Sequence, residues 1–158
     1  MNRAWRDQND SRVIPALGDH CSMSHFGPAI SHETSKDPLF RMRAYRLAAD
    51  LLEAAWQDAK NLSTQPVTER IAGQLYAAVN SITANLGEGY SRSSGKDRAR
   101  FFEYALGSVR ESISWYQGAR PVLGDVVGSR LDNLEEIRRL LIATIPRERV
   151  SGIPRTKV

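Results

Sequence analysis

Phe102, Leu106, Val109, Ile113 and Tyr116 step along the chain by four, three, four and three residues, the near-heptad spacing that keeps one helix face turned toward an antiparallel neighbour. Few folds are open to a chain with such a stripe, and other segments follow the same rule. Ile71, Leu75, Val79, Ile82 and Leu86 trace a stripe on a helix that begins around Thr68. Leu39, Phe40, Leu47, Leu51, Leu52, Ala55 and Trp56 recur at helical spacing through an alanine-rich stretch that runs from Pro38 to near Asn61, before Pro66. Val127, Leu131, Leu134, Ile137 or Arg138, Leu141 and Ile145 make a fourth.

Local signals set the expected ends. Gly89 stands where a left-handed residue closes the second helix. Ser94 with Asp97 fits a capping box at the start of the third, with Asp in place of the usual Glu. Pro121 and Gly124 are expected to stop that helix, and Pro146 the fourth. With short connectors and no period-two segment, the economical solution is all-α, an antiparallel up-down-up-down four-helix bundle over residues 38–147. Tyr76, Phe101, Tyr104 and Trp115 fall off the main stripes. Such surplus aromatic surface suits either a subunit contact or stripes broad enough to face two neighbours within one bundle.

The flanks read differently. Residues 1–37 mix Gly, Pro, Ser, Asn, Asp and His without sustained apolar period, and so are expected to form a disordered extension; Met23 is an alternative start. Residues 148–158 are expected to be a basic tail. The 158 residues carry a formal charge of +4. The first 37 hold Arg3, Arg6, Arg12 and Lys36 against Asp7, Asp10, Asp19, Glu33 and Asp37, a balance of −1 that leaves +5 for the remainder. A basic body suits polyanions without proving contact with them. One cysteine, Cys21, precludes an internal disulfide, and no apolar run approaches the ~20 residues of a membrane helix. The expectation is a cytoplasmic protein without membrane contact.

Catalytic chemistry is hard to place. His20, His25 and His32 all lie in the extension with Cys21, so the bundle has neither the commonest general base nor the Glu-x-x-His pairs of di-iron bundles. A loose metal set of His20, Cys21 and His25 has nothing nearby to order it. "GEGYSRSSGK", Gly87 to Lys96, lacks the spacing of a phosphate-cradling loop and follows a helix rather than a strand. Asp50, Glu53, Glu103 and Glu111 fall among basic residues at helix spacing and read as solvated ion pairs. No enzyme activity, metal or cofactor is expected.

Charge placement singles out the central segment. Arg92, Lys96, Arg98 and Arg100 occupy the turn and first turns of helix three, and Glu88 the last turn of helix two, all against the helix dipoles. Glu88 has two candidate partners: Arg92 or Lys96 across the turn, or, through a face shared with Asn85, the hydroxyls of Ser108 or Ser112.

The same segment, "SITANLGEGYSRSSGKDRARFFEYALGSVRE", resembles the signature of the four-helix-bundle family named for proteins encoded in intervening sequences of bacterial 23S ribosomal RNA genes. Ser81, Ile82, Asn85, Glu88, Gly89 and Arg92 fit its first part. Ser94, Lys96 and Phe101 or Phe102 fit the second, and Ala105, Leu106, Gly107, Ser108 and Glu111 the third. Gly87 replaces the usual alanine, and Asp97-Arg98 stands where Glu-Phe is typical. The resemblance implies an antiparallel bundle assembling into a homopentameric ring. Related accessory proteins of diversity-generating retroelements bind nucleic acid and a reverse transcriptase, which implies such partners by analogy only.

Two functions follow as expectations. The first is a non-enzymatic, ring-forming protein that binds nucleic acid, RNA before DNA, through phosphate contacts of Arg92, Lys96, Arg98 and Arg100 joined by Arg41, Arg43 and Arg46. Starts of helices one and three share an end of an up-down bundle, so the two clusters can merge. The second is a homo-oligomeric scaffold whose rim arginines pair with acidic residues of a neighbouring subunit. Gly107 and Ser108 suit close helix approach in either.

Overall fold

A computed structural model describes residues 36–150 of the protein. The expected disordered extension, the alternative start at Met23 and the set His20, Cys21 and His25 fall outside the described residues, as does most of the basic tail. A 3-10 turn, Pro38–Arg41, is followed by four helices: α1 (Arg43–Ser63), α2 (Glu69–Tyr90), α3 (Gly95–Leu123) and α4 (Val126–Val150). Consecutive helices pack most extensively and α1 meets α4 to close the bundle. The turn that leads into α1, the end of α2, the start of α3 and the end of α4 all line one cleft. At the other pole the end of α1 meets the late part of α3 and the start of α4 through Asp58, Tyr116 and Arg130. These two meeting points establish the up-down-up-down course. Among the described residues no helix is long and apolar enough to cross a membrane.

The stripes form the core. Leu51, Leu75, Val79, Ile82, Leu86, Phe102, Val109, Tyr116, Leu134, Ile137 and Leu141 are all buried, each contributing about 1.5–3 kcal/mol of burial. The open choice between Ile137 and Arg138 falls to Ile137, and Arg138 instead pairs with Glu135 at the surface. Trp56 leaves its stripe: it is 48 % exposed and lies edge-on to Tyr76, centroids 5.4 Å apart. Of the off-stripe aromatics, Tyr76, Phe101 and Trp115 are half-buried within the bundle, whereas Tyr104 is 54 % exposed.

Several helix ends differ from expectation. The chain does not enter helix one at Pro38: Asp37 caps a 3-10 turn, and Met42, extended at φ −73° and ψ 110°, separates it from α1. Gly89 is not a left-handed cap, since Gly124, at φ 62°, is the one described residue with positive φ. Gly89 lies inside α2 because α3 comes too close for a side chain there. An added Cβ would stand 2.8 Å from the Phe102 ring and 2.9 Å from Phe101 Cβ. Gly124 does end α3, its N–H donating to Arg120 O at 2.9 Å, but Pro121 does not. Burial of Ala119 and Leu123 on either side carries the helix through the missing donor.

Pro146 likewise fails to end α4. The turn beyond it is anchored by Glu148, whose Oε2 accepts from Arg98 Nε at 2.7 Å, and by an ion pair between Arg149 and Glu103 on α3. Three residues assigned to the tail therefore belong to the helix.

A matching buried pair lies at the opposite pole. Asp58 Oδ2 accepts from Tyr116 Oη at 3.0 Å and from Arg130 Nε at 2.8 Å. Burial, reinforced by the Asp58 carboxylate, holds the Tyr116 phenol far above its ordinary value. The hydrogen bond to Asp58 raises Arg130 as well. Tyr116 is thus a neutral donor and Arg130 a fixed cation, and together they satisfy a carboxylate that would be costly alone.

Candidate nucleic-acid interface

The α2–α3 turn is built from short-range contacts. Ser94 caps α3, its Oγ accepting from Asp97 N at 3.3 Å. The Asp97 carboxylate faces Arg100 Nη2 at 3.7 Å. Ser91 N–H closes the end of α2 onto Gly87 O and Glu88 O, both at 3.2 Å. Of the alternatives for Glu88, the structure realises the ion pair with Arg92, one turn on. Both side chains are nearly half exposed, so the pairing adds little stability, about 0–1 kcal/mol. Asn85 does not follow Glu88 outward. Its amide donates to Ser81 O at 2.8 Å and Ser81 Oγ at 3.1 Å, and Ser108 Oγ lies 3.0 Å from Ser81 Oγ. The seam between α2 and α3 is therefore a short chain of hydroxyl and amide groups, in which Ser112 bonds only Ser108 O, at 2.8 Å.

Arg98 departs from the expected cation cluster. It is 2 % exposed and its guanidinium donates inward: Nε to Glu148, Nη1 to Arg92 O at 3.0 Å and Ser93 O at 2.9 Å. No phosphate can reach it without breaking a buried pair. Arg98 instead clips the α2–α3 turn to the last turn of α4. Arg46 also turns inward, half-buried, with Nη1 donating to Phe40 O at 2.9 Å, and thereby ties the 3-10 turn to α1.

The remaining cations are exposed: Arg41, Arg43, Arg92, Lys96 and Arg100. Leu39 approaches within 3.8 Å of where a Gly87 side chain would start, so the 3-10 turn carrying Arg41 abuts the end of α2. Arg41 and Lys96 have no acidic partner among the described residues. Arg43 pairs with Glu136 at 3.1 Å. Phe101 organises two others, with Arg92 Cζ 4.9 Å and Arg100 Cζ 5.8 Å from its ring centroid and Tyr104 edge-on beside it at 5.8 Å. Stacking on the ring holds guanidiniums near the surface without consuming their donors. Continuation of α4 past Pro146 adds exposed Arg147 and Arg149 at this pole. Sequence reasoning misses both, because the proline reads as the helix end.

Gly107 faces open space, with nothing within 4 Å of a built Cβ, so it serves no close approach inside the bundle; Ser108 does. Among the described residues no group of three or more His, Cys, Asp or Glu side chains is placed to hold a metal ion.

A comparison with curated proteins finds no match. The family model described as 23S rRNA-intervening sequence protein matches residues 41–143, which takes in all of α1 to α3, the α2–α3 turn and most of α4. With the expected bundle in place around that turn, the chain belongs to the 23S rRNA-intervening sequence protein family.

Proposed function

We propose that this protein is a non-enzymatic, ring-forming, cytoplasmic nucleic-acid-binding protein that holds RNA through phosphate contacts at the pole where α1 and α3 begin. The observation that carries the reading is the gathering of exposed Arg41, Arg43, Arg92, Lys96 and Arg100 at that pole. The ion pairs of Arg92 with Glu88 and of Arg100 with Asp97 are solvent-facing and weak enough for a phosphate to replace. No base-reading motif accompanies them, so affinity should fall steeply with salt and depend little on duplex sequence. In a homo-oligomer, the pentamer suggested by family resemblance, repetition of the cluster multiplies the field. A reverse transcriptase partner belongs to this reading only by analogy with retroelement accessory proteins.

The scaffold reading rests on a different observation, the outward Tyr104 and Gly107 on α3, which suit contact with another helix. Filter binding of RNA at two salt concentrations, with light scattering on the same samples, separates the two. Binding that weakens with salt and is lost on replacing Arg92, Lys96 and Arg100 by alanine supports the first. An intact oligomer that binds no RNA at low salt leaves the scaffold.

A further inference from the structure

Part of the cationic pole is aromatic. Phe101 and Tyr104 meet edge to face on α3, with ring centroids 5.8 Å apart and planes at 89°. The guanidiniums of Arg92 and Arg100 stand 4.9 and 5.8 Å from the Phe101 centroid. Tyr104 is 54 % exposed, so its ring gains little from folding. We propose that this patch is a stacking platform for an unpaired nucleobase, with Tyr104 as its ring, and that the RNA held at this pole is single-stranded. The proposal rests on the RNA reading above and adds the strand state of the ligand and the side chain that recognises it.

Spacing along α3 supports the assignment. Lys96, Arg100 and Tyr104 are four residues apart, hence on one helix face at steps of about 6 Å along the axis, and all three are exposed. Two cations thus lead to a ring. Gly107 continues the face, and nothing lies within 4 Å of a Cβ built there, so the surface beyond Tyr104 is bare where a flat base needs room. Charges that follow the phosphates and an aromatic face for the bases are the two parts that single-strand binding requires. The charges remain usable. Arg100 stands 3.7 Å from Asp97, beyond hydrogen-bond distance, and a guanidinium resting on a ring keeps its in-plane N–H groups for phosphate. Charge complementarity favours a polyanion here over an apolar helix, because a helix covering Tyr104 would desolvate Arg100 on the same face. Bases in a duplex stay paired and stacked on one another, so a duplex can use the cations but not the ring.

Fluorescence anisotropy on the full chain at low salt compares three labelled ligands of equal length: oligouridylate, an abasic strand with the same phosphates, and a mixed-sequence RNA duplex. Oligouridylate should bind about tenfold more tightly than the abasic strand. Tyr104→Ala should weaken oligouridylate by about tenfold and leave the abasic strand and the duplex unchanged, while Tyr104→Phe keeps wild-type affinity. Gly107→Leu, whose Cβ meets no neighbour, should weaken oligouridylate alone by covering the bare surface, and decides the matter if circular dichroism shows Tyr104→Ala unfolded. Equal affinity for oligouridylate and the abasic strand, or a Tyr104→Ala variant that weakens all three ligands alike or none, overturns the platform. Light scattering in which Tyr104→Ala breaks up an oligomer overturns it too, since the ring then belongs to a subunit contact, as does an oligoglutamate peptide bound more tightly than oligouridylate. If alanines at Arg92, Lys96 and Arg100 still abolish duplex binding in those cases, the phosphate reading stands without the platform. Absence of binding to all three ligands overturns both.

Discussion

Replacing Arg98 by methionine keeps the length and apolar stem of the side chain but removes a guanidinium that is 2 % exposed and donates 2.7 Å to Glu148. The cost comes from what is left behind. Glu148 is buried, and breaking a buried ion pair by removing one member costs about 3–5 kcal/mol. Loss of the bonds to Arg92 O and Ser93 O adds less, because both residues are exposed and their carbonyls can turn to water. Against a total stability of about 5–15 kcal/mol, Arg98→Met should lower the urea midpoint by about 2 M at a slope of about 2 kcal/mol per M. Glu148→Met strands the arginine and should cost a similar amount. The double variant, two packed methionines, should recover most of the loss, since buried pairs often match apolar replacements in stability. A double-mutant cycle by circular dichroism measures the coupling. Single costs that add to within about 0.5 kcal/mol refute a specific buried pair. RNA binding gives an independent check. Lys96→Ala should reduce the salt slope by about 0.7 for a single strand, whereas Arg98→Met should leave it unchanged. An equal fall for both would mean that Arg98 touches phosphate after all.

Gly89→Ala improves helix propensity by about 1 kcal/mol but places a Cβ 2.8 Å from the buried Phe102 ring. Overpacking of about 1–3 kcal/mol should make the variant less stable in denaturant titration, and a stabilised variant would show that α3 can move away. Asp58→Ala leaves Arg130 and Tyr116 without their shared acceptor and should destabilise by about 3–5 kcal/mol, read as a lower thermal midpoint. Tyr116 also predicts behaviour in base. Its folded value is raised above the unfolded 10.0, so the folded chain keeps a proton the unfolded chain loses. That contribution is intact below pH 10.0 and declines above it by up to about 1.4 kcal/mol per pH unit. Tyr116→Phe should flatten the alkaline fall in stability; an unchanged fall would place its origin elsewhere.

Four helices and their stripes were legible because burial by periodicity is a local property: the steps of Phe102 to Tyr116 and of Ile71 to Leu86 need no partner to be recognised. Helix ends were less so. Pro121 and Pro146 read as stops, yet Leu123 and Glu148 lie beyond them and are buried, and only the other helices could reveal that these positions had something to bury against. Gly89 reads correctly as a special position, but its cause is close approach of α3 and not a left-handed backbone. Left-handed backbone and close approach leave the same mark in a sequence. Within the cation cluster, Arg92, Lys96, Arg98 and Arg100 look alike along the chain. The partner that withdraws Arg98 is fifty residues away in α4, and the Asp58, Tyr116 and Arg130 network is separated by similar or greater distances.

Among the described residues, the two buried ionic contacts given by Asp58 and Arg98 both involve α4, Arg130 near its start and Glu148 near its end, about 27 Å apart along the axis. Apolar stripes that repeat every seven residues are forgiving, since a helix displaced by one heptad still meets leucine and isoleucine. Charges at both extremities remove that freedom. Sliding α4 in either direction would strand two carboxylates and two guanidiniums together, a penalty that hydrophobic contacts in the shifted alignment could not offset. The fourth helix is thereby held in a single registration against its neighbours, like a vernier that matches only when both end marks coincide.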